Sequence, residues 1–216
     1  MASAPFPTDI SSAATGLVGR LEGVQPKRWT REEYHLLAEQ GWFVDKRVEL
    51  IDGEIIELSP QSEEHFFGID NLRSLLEKAF GEAYWVRSQA SVAASEHSEP
   101  EPDVAVIEGP RRVMDDHPTT ALLAVEVSKT TQSYDKGAKA DLYASTGTHD
   151  YWVLDLVRRE LVVHRQPTQN GESRFGWRYA QLTVIPETGE VSPLALPGAT
   201  LRVAEMLPPS QAGDNS

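Results

Sequence analysis

Hydrophobic residues recur at helical spacing in three segments of the chain. The first segment begins at Thr30, which pairs with Glu33 as a capping box, and ends near Gln40. The second covers 62–80, where apolar residues recur every three or four positions, and the third covers about 134–145. The pattern therefore predicts three helices.

Short apolar runs lie between and after these helices, bounded by Pro, Gly and charged turns that are typical of strand ends. The earliest run, 47–58, is divided by Asp52-Gly53, a dipeptide that favours the tight turn of a β-hairpin. Glu49 lies on the first strand of this hairpin. Further strands are predicted over 84–87, 91–94, 103–107, 121–127, 151–155, 160–165, 179–184 and 194–203.

The order of these elements predicts the α+β fold class, with a central mixed sheet flanked by helices. The length of 216 residues suits a single domain, which we place at 27–207. Residues 1–26 are rich in Ala, Ser, Gly and Pro without a sustained period, so we expect a flexible N-terminal arm. We expect residues 208–216 to form a disordered tail.

The composition indicates where the protein is expected to be located and which metals it could bind. No apolar run approaches the length of about 20 residues that a membrane-spanning helix needs, and the N-terminus lacks a basic segment followed by an apolar core. We therefore expect a cytoplasmic protein without a membrane partner. Because the chain has no cysteine, a bound metal must take oxygen or imidazole ligands, which favours Mg²⁺ or Mn²⁺.

The formal net charge of -13 argues against nonspecific coating of nucleic acid, which depends on Lys and Arg. Acidic residues are in excess over 45–126, whereas basic residues slightly outnumber them over 127–180. A polyanion is therefore expected to approach the second half of the chain.

Two carboxylates interrupt apolar strands. Asp103 opens one predicted strand and Glu126 lies within another, where burial of a charge costs several kcal/mol unless it is paired or binds a cation. The alternative is that each acid is an exposed edge residue. Convergence of the two strand ends on one divalent cation would account for both positions.

Several motifs in conserved order resemble those of the Uma-two family, which belongs to the PD-(D/E)XK superfamily of restriction-endonuclease-like proteins. The resemblance spans about 29–165. It is carried by Val48-Glu49-Leu50-Ile51-Asp52-Gly53-Glu54-Ile55-Ile56-Glu57-Leu58-Ser59-Pro60, His65, Glu101-Pro102-Asp103-Val104, Val125-Glu126-Val127-Ser128, Tyr134-Asp135-Lys136-Gly137-Ala138-Lys139, Tyr143 and Tyr151-Trp152-Val153.

The resemblance implies a restriction-endonuclease-like core with extra antiparallel strands, and Mg²⁺- or Mn²⁺-dependent cleavage of phosphodiester bonds, with DNA as the expected substrate. It also implies a homodimer. Asp103 matches the proline-aspartate element of the family and Glu126 its second acid. Glu49 resembles an acid that related nucleases supply ahead of the motif, so Glu49, Asp103, Glu126 and the carbonyl of Val127 are the expected metal ligands. A solvent-facing position in the hairpin is the alternative for Glu49.

The superfamily pattern places a lysine two residues after the second acid, where this chain has Ser128. Lys129 would point to the opposite face of the strand from Glu126. Lys139, on the border of the apolar stripe of the third helix, is therefore the expected catalytic lysine, and a surface ion pair with Asp135 is the alternative.

His65, near the start of the second helix, could orient a water or touch the substrate, or could simply be packed there. Two other functions remain open from the sequence. One is a catalytically inactive nuclease fold that serves as an interaction module, and the other is a metal-dependent hydrolase of a smaller phosphate ester. The choice between DNA and RNA is also open.

Overall fold

The computed structural model describes residues 25–129 and 134–210. Residues 1–24 of the predicted arm and 211–216 of the predicted tail lie outside the described residues. The described part contains four α-helices, and a 3₁₀ helix follows the second of them while a π-helical turn leads into the third. Their bounds are α1 Arg31–Glu39, α2 Glu63–Phe80, the 3₁₀ helix Gly81–Ala83, the π turn Asp135–Lys139, α3 Ala140–Ser145 and α4 Val203–Met206.

A six-stranded mixed sheet forms the centre of this α+β fold, as the sequence predicts. Its strand order is β3-β4-β5-β6-β7-β8, and only β5 and β6 within it are parallel. Two small antiparallel pairs, β1 with β2 and β9 with β10, accompany it. The strands are β1 Val48–Ile51, β2 Glu54–Glu57, β3 Tyr84–Ser88, β4 Val104–Glu108, β5 Leu123–Ser128, β6 Asp150–Asp155, β7 Glu160–Gln169, β8 Trp177–Pro186, β9 Glu190–Val191 and β10 Leu201–Arg202.

Both faces of the sheet are covered by helices. On one face Leu72 of α2 packs into a cluster with Val125 of β5 and other alternate strand residues. On the other face Tyr143 of α3 packs with Ala124 of β5. Because successive strand residues point to opposite faces, Glu126 shares the α3 face with Ala124. The buried carboxylate therefore lies on the face that α3 covers, together with the π turn that carries Lys136 and Lys139.

The hairpin β1–β2 brings Glu49 to the sheet. Its turn residues Asp52 and Gly53 have φ angles of 51° and 81°, as a two-residue hairpin turn requires. The amide of Glu99, in the segment that leads into β4, donates to the carbonyl of Leu50 at 2.6 Å. This contact holds the hairpin against the end of β4, where Asp103 lies.

One predicted strand is wrong and another is wrong in part. Residues 91–94 do not form a strand, because the amides of Val92 and Ala93 donate to the loop carbonyls of Pro100 and Pro118 instead of to a neighbouring strand. Over 194–203 only Leu201 and Arg202 are extended in a strand, since Pro197 cannot contribute an amide to a ladder. In the described residues no helix has the length and apolar character to cross a membrane.

Candidate active site

Strand register brings the two predicted strand acids together. Val104 of β4 is the partner of Val125 of β5 in the antiparallel ladder, so Asp103 and Glu126 occupy the next pair of opposed positions. Directly opposed residues have Cβ atoms about 4.5–5.5 Å apart and share one face. Both side chains are almost completely buried, at 5% and 3% exposure. The alternative of exposed edge residues is therefore excluded for both acids.

The side chain of Asp103 binds a backbone amide of β5 just beyond the last residue pair of the β4–β5 ladder. Its Oδ2 accepts a hydrogen bond from the amide of Val127 at 2.8 Å, and the same oxygen lies 3.0 Å from Nε2 of His65. The amide of Leu156, after β6, donates to the carbonyl of Ser128 on the other side of β5. Because peptide groups alternate in direction along a strand, the carbonyl of Val127 points to the side of Asp103.

Lys139 joins two elements distant in sequence. Its Nζ lies 3.0 Å from a carboxylate oxygen of Glu126 and 3.0 Å from one of Glu49. Only 3% of Lys139 is exposed, which excludes the alternative of a surface pair with Asp135. The one-turn π segment that ends at Lys139 precedes α3 directly, and such turns are frequent at functional sites.

The two other lysines of this region have different partners. Lys129 donates to Glu64 at 2.9 Å from an exposed position, and Lys136 donates to Asp155 at 2.7 Å. Lys139 is thus the lysine that the fold places against Glu126.

Glu49 is fully buried and held on both carboxylate oxygens. Besides Lys139, it accepts hydrogen bonds from the hydroxyl of Tyr134 at 3.1 Å and from the amide of Glu101 at 3.3 Å. This arrangement excludes the solvent-facing alternative for Glu49. Its carboxylate therefore contacts the same ammonium group of Lys139 that contacts Glu126.

Two tyrosines belong to the site, although the sequence reasoning assigned them no role in it. The hydroxyl of Tyr143 donates to Glu126 at 3.1 Å, and that of Tyr134 donates to Glu49. The signal for Tyr143 is its position four residues after Lys139, on the same helix face. Tyr134 opens the family motif that ends at Lys139, but its contact with Glu49, 85 residues earlier in the chain, depends on the tertiary structure.

The site carries more negative than positive charge in a buried setting. Burial raises the pKa of Glu126 well above its usual range, and the neighbouring carboxylates of Asp103, Asp135 and Glu49 raise it further, against the opposing effect of Lys139. Burial by itself would lower the pKa of Lys139, but Glu126 and Glu49 raise it well above the ordinary value. The ammonium is therefore retained, and Glu126 is the carboxyl group whose protonation the buried surroundings and the neighbouring carboxylates favour.

A narrow cavity of about 70 Å³ opens onto this cluster. Asp103, Glu126, Val127, Lys139 and His65 line it, whereas Glu49 does not. Its oxygen donors are of the hard type that Mg²⁺ and Mn²⁺ prefer, so the residues fit the class of cation that the sequence predicts.

Glu49, Asp103 and Glu126 do not all approach one another closely. Among residues 25–129 and 134–210, the one set of three His, Asp or Glu donor atoms within 4.8 Å of one another lies elsewhere in the molecule. Asp103 and Glu126 meet at the cavity, while the ammonium of Lys139 lies between Glu126 and Glu49.

The comparisons with known proteins bear on the family and the fold of the chain. The model of the Uma2 family, described as "Putative restriction endonuclease", matches residues 31–204, which is most of the chain. The chain belongs to the Uma2 family. The matched range contains every residue of the site described above, from Glu49 to Tyr143.

A solved structure supports the fold of this Uma2 family member. The crystal structure of a putative nuclease belonging to DUF820 from Anabaena variabilis ATCC 29413 superposes with a TM-score of 0.65 at 16% sequence identity. The similarity covers 82% of this chain and 96% of the other. No curated protein sequence matches the chain. The nuclease-like fold is thus shared with a protein of very different sequence.

Proposed function

We propose that this protein is a metal-dependent endonuclease that hydrolyses phosphodiester bonds in DNA with Mg²⁺ or Mn²⁺. The observation that carries the proposal is the pairing of buried Lys139 with Glu126 at a cavity that Asp103 also lines. A cluster of buried ionisable groups costs stability, and catalysis is a reason to retain it. Membership of a family described as restriction endonucleases, and the nuclease-like fold, support the same conclusion.

Asp103, Glu126 and the carbonyl of Val127 would hold the cation. All three residues line the cavity and are fixed by the β4–β5 register. A divalent cation bound there would lower the pKa of a coordinated water and offset the charge of the scissile phosphate. It would also offset the neighbouring negative charge that, after burial, contributes to the raised pKa of Glu126.

Lys139 would donate a hydrogen bond to the phosphate oxygen on which negative charge develops, or to the attacking water. Its ammonium is held on two sides by Glu126 and Glu49, so little reorganisation is needed during the reaction. Glu49 as a metal ligand stays a prediction. Its present contacts support a positioning role toward Lys139.

His65 contacts Asp103 from the first turn of α2. Its side chain is 21% exposed and lines the cavity, so it can reach both Asp103 and a molecule that enters. We propose that His65 orients the carboxylate of Asp103 and hydrogen-bonds the substrate.

A cytoplasmic homodimer is also part of the proposal, since two copies of one site would be needed to cut both strands of a duplex in a single encounter. Light scattering coupled to size-exclusion chromatography tests the dimer. A protein molar mass equal to the chain mass of 23.9 kDa, both with and without DNA, would contradict the dimer.

Two observations favour other functions. The net charge of -13 disfavours a long polyanion, which supports an inactive interaction module, and the narrow cavity of about 70 Å³ suits a smaller phosphate ester. Incubation of the protein with supercoiled plasmid, and separately with a small chromogenic phosphodiester, discriminates these functions.

The proposal expects Mg²⁺- or Mn²⁺-dependent nicking of the plasmid that Glu126→Gln abolishes. Cleavage of the small ester alone would support the second alternative. No cleavage of plasmid, single-stranded DNA, RNA or small ester by a folded, metal-supplemented protein would overturn the proposal.

A further inference from the structure

A second cluster of metal-binding side chains lies apart from the proposed active site. Nε2 of His35, on α1, is 2.9 Å from Oε1 of Glu99, and Nε2 of His117 is 3.8 Å from the same oxygen. All three donor atoms lie within 4.8 Å of one another. The three residues come from a helix, the segment before β4 and the loop between β4 and β5.

Glu99 and His117 of this His35–Glu99–His117 cluster make further contacts with charged neighbours. Arg31 donates from Nε to Oε2 of Glu99 at 2.6 Å, and Oε1 is the oxygen nearer to Nε2 of His35, at 2.9 Å compared with 3.1 Å for Oε2. Arg31 also pairs with Asp116, whose Oδ1 accepts the amide hydrogen of His117 at 2.7 Å. A hydrogen bond that orients a ligating carboxylate, as the one from Arg31 to Glu99 does, is typical of metal sites in proteins.

The spacing is suited to a small tetrahedral cation. Zn²⁺ binds imidazole nitrogen and carboxylate oxygen at about 2.0–2.2 Å, which places neighbouring ligand atoms roughly 3.3 Å apart in a tetrahedron. The observed separations from Oε1 of Glu99, 2.9 Å and 3.8 Å, lie on either side of this value. Rotation of the half-exposed imidazoles could bring both to it, since their side chains are 42% and 37% exposed.

We propose that His35, Glu99 and His117 form a binding site for Zn²⁺ or a cation of similar ligand preference. Two imidazoles with one carboxylate are a set that binds zinc and leaves a fourth coordination position open. This set differs in kind from the oxygen-only donors at Asp103 and Glu126, which suit Mg²⁺. The two sites would therefore select different metals.

The surroundings indicate what the fourth position would meet. Both histidines line a surface cavity of about 820 Å³, and Arg87, Arg111 and Arg112 line it as well. Water or a small anion could complete the coordination from this side. Bound metal would join α1 to the segment that contacts the hairpin through the hydrogen bond between Glu99 and Leu50.

The test uses the full chain, freed of metal with a chelator and then dialysed. Isothermal titration calorimetry with zinc chloride should give one saturable site with a micromolar or tighter Kd, and Co²⁺ should give the intense visible absorption of a tetrahedral site. His35→Ala and His117→Ala should each weaken Zn²⁺ binding by about 100-fold or more and abolish the Co²⁺ spectrum. Circular dichroism checks that both variants are folded.

Two control variants distinguish this site from other metal-binding groups. His149→Ala removes an exposed histidine outside the cluster, and Glu126→Gln alters the proposed active site. Both should keep the zinc affinity of the unmodified chain. The proposal is overturned if Zn²⁺ does not bind, if both His35→Ala and His117→Ala bind it normally, or if Glu126→Gln alone removes the binding.

Discussion

At the scale of single residues, the buried ion pairs that Lys139 makes with Glu126 and Glu49 are the most informative feature. Removing one partner of a buried ion pair is strongly destabilising, by about 3–5 kcal/mol, because the other charge remains unpaired away from water. Lys139 has two such partners, Glu126 and Glu49. Its replacement therefore affects stability as well as chemistry, and both must be measured.

We expect Lys139→Ala to lower the turnover of a cleavable DNA substrate by about two or more orders of magnitude, since a contact made in the transition state is lost. The affinity for Mn²⁺, measured by calorimetry, should stay nearly unchanged. Lys129→Ala is the matched control, because Lys129 lines the same cavity but is exposed and pairs with Glu64 instead of Glu126. Wild-type turnover in Lys139→Ala would exclude the catalytic role.

His164 is the second residue with a measurable consequence. Burial, and to a smaller extent the charge of Lys136, lowers the pKa of His164 to about 4. Its Nε2 has no hydrogen-bond partner among the described residues, and its ring packs against Tyr151 and Tyr179. The folded protein therefore accommodates the neutral imidazole and not the charged one.

The direction of the pH effect follows. Between about pH 6.5 and pH 4 the unfolded chain binds a proton at His164 that the folded chain does not, so stability falls as the pH falls through this range. The full shift corresponds to about 3 kcal/mol. We expect His164→Leu to flatten this part of the pH dependence in urea denaturation. Equal pH dependence in both proteins would contradict the prediction.

At the scale of elements, the hairpin β1–β2 determines where Glu49 lies. Gly53 has a φ of 81°, and a Cβ built there would lie 2.7 Å from Cβ of Arg28. A side chain at this position is therefore opposed by both backbone conformation and packing.

We expect Gly53→Ala to lower the free energy of unfolding by about 1–3 kcal/mol. It should also lower turnover, because a displaced hairpin moves Glu49 away from Lys139. Gly171→Ala provides the control, since a Cβ there would meet no atom within 4 Å. Urea denaturation followed by circular dichroism measures the difference, and equal stability of the two variants would refute the role of Gly53.

At the scale of the whole molecule, the excess of acidic residues makes cation binding an important contribution to stability. The formal net charge is -13, and the proposed active site itself holds more carboxylates than lysines. A cation that binds only the folded state stabilises it in proportion to the logarithm of its concentration above Kd. Thermal unfolding is therefore a test of the metal that needs no substrate.

We expect millimolar Mg²⁺ or Mn²⁺ to raise the Tm of the unmodified protein, and Glu126→Gln to lose most of the increase. Glu49→Gln separates two roles for Glu49. If Glu49 positions Lys139, this variant keeps the increase and loses turnover, whereas a metal ligand would lose both. Zn²⁺ is left out of these scans because of the proposed His35–Glu99–His117 site. The absence of any Tm increase with the unmodified, folded protein would favour the inactive module.

The sequence by itself determined those features that depend on neighbouring residues. The capping box of Thr30 and Glu33, the turn at Asp52-Gly53 and the helix that follows Ser62 are all found, because each signal lies within a few residues of the structure it produces. Strand and helix periods also place Glu126 and Lys139 on facing surfaces. The family motifs are short segments of sequence, and the α+β class follows from the order of the predicted helices and strands along the chain.

Tertiary structure alone decided which of these residues meet. The segment 91–94 has strand-like composition, yet the amides of Val92 and Ala93 donate to the loop carbonyls of Pro100 and Pro118. The contact between Glu49 and Lys139 depends on how the hairpin packs against the sheet. The cluster of His35, Glu99 and His117 depends on how α1 packs against the segment before β4 and the β4–β5 loop. Such contacts join residues distant along the chain, and no local pattern encodes their register or distance.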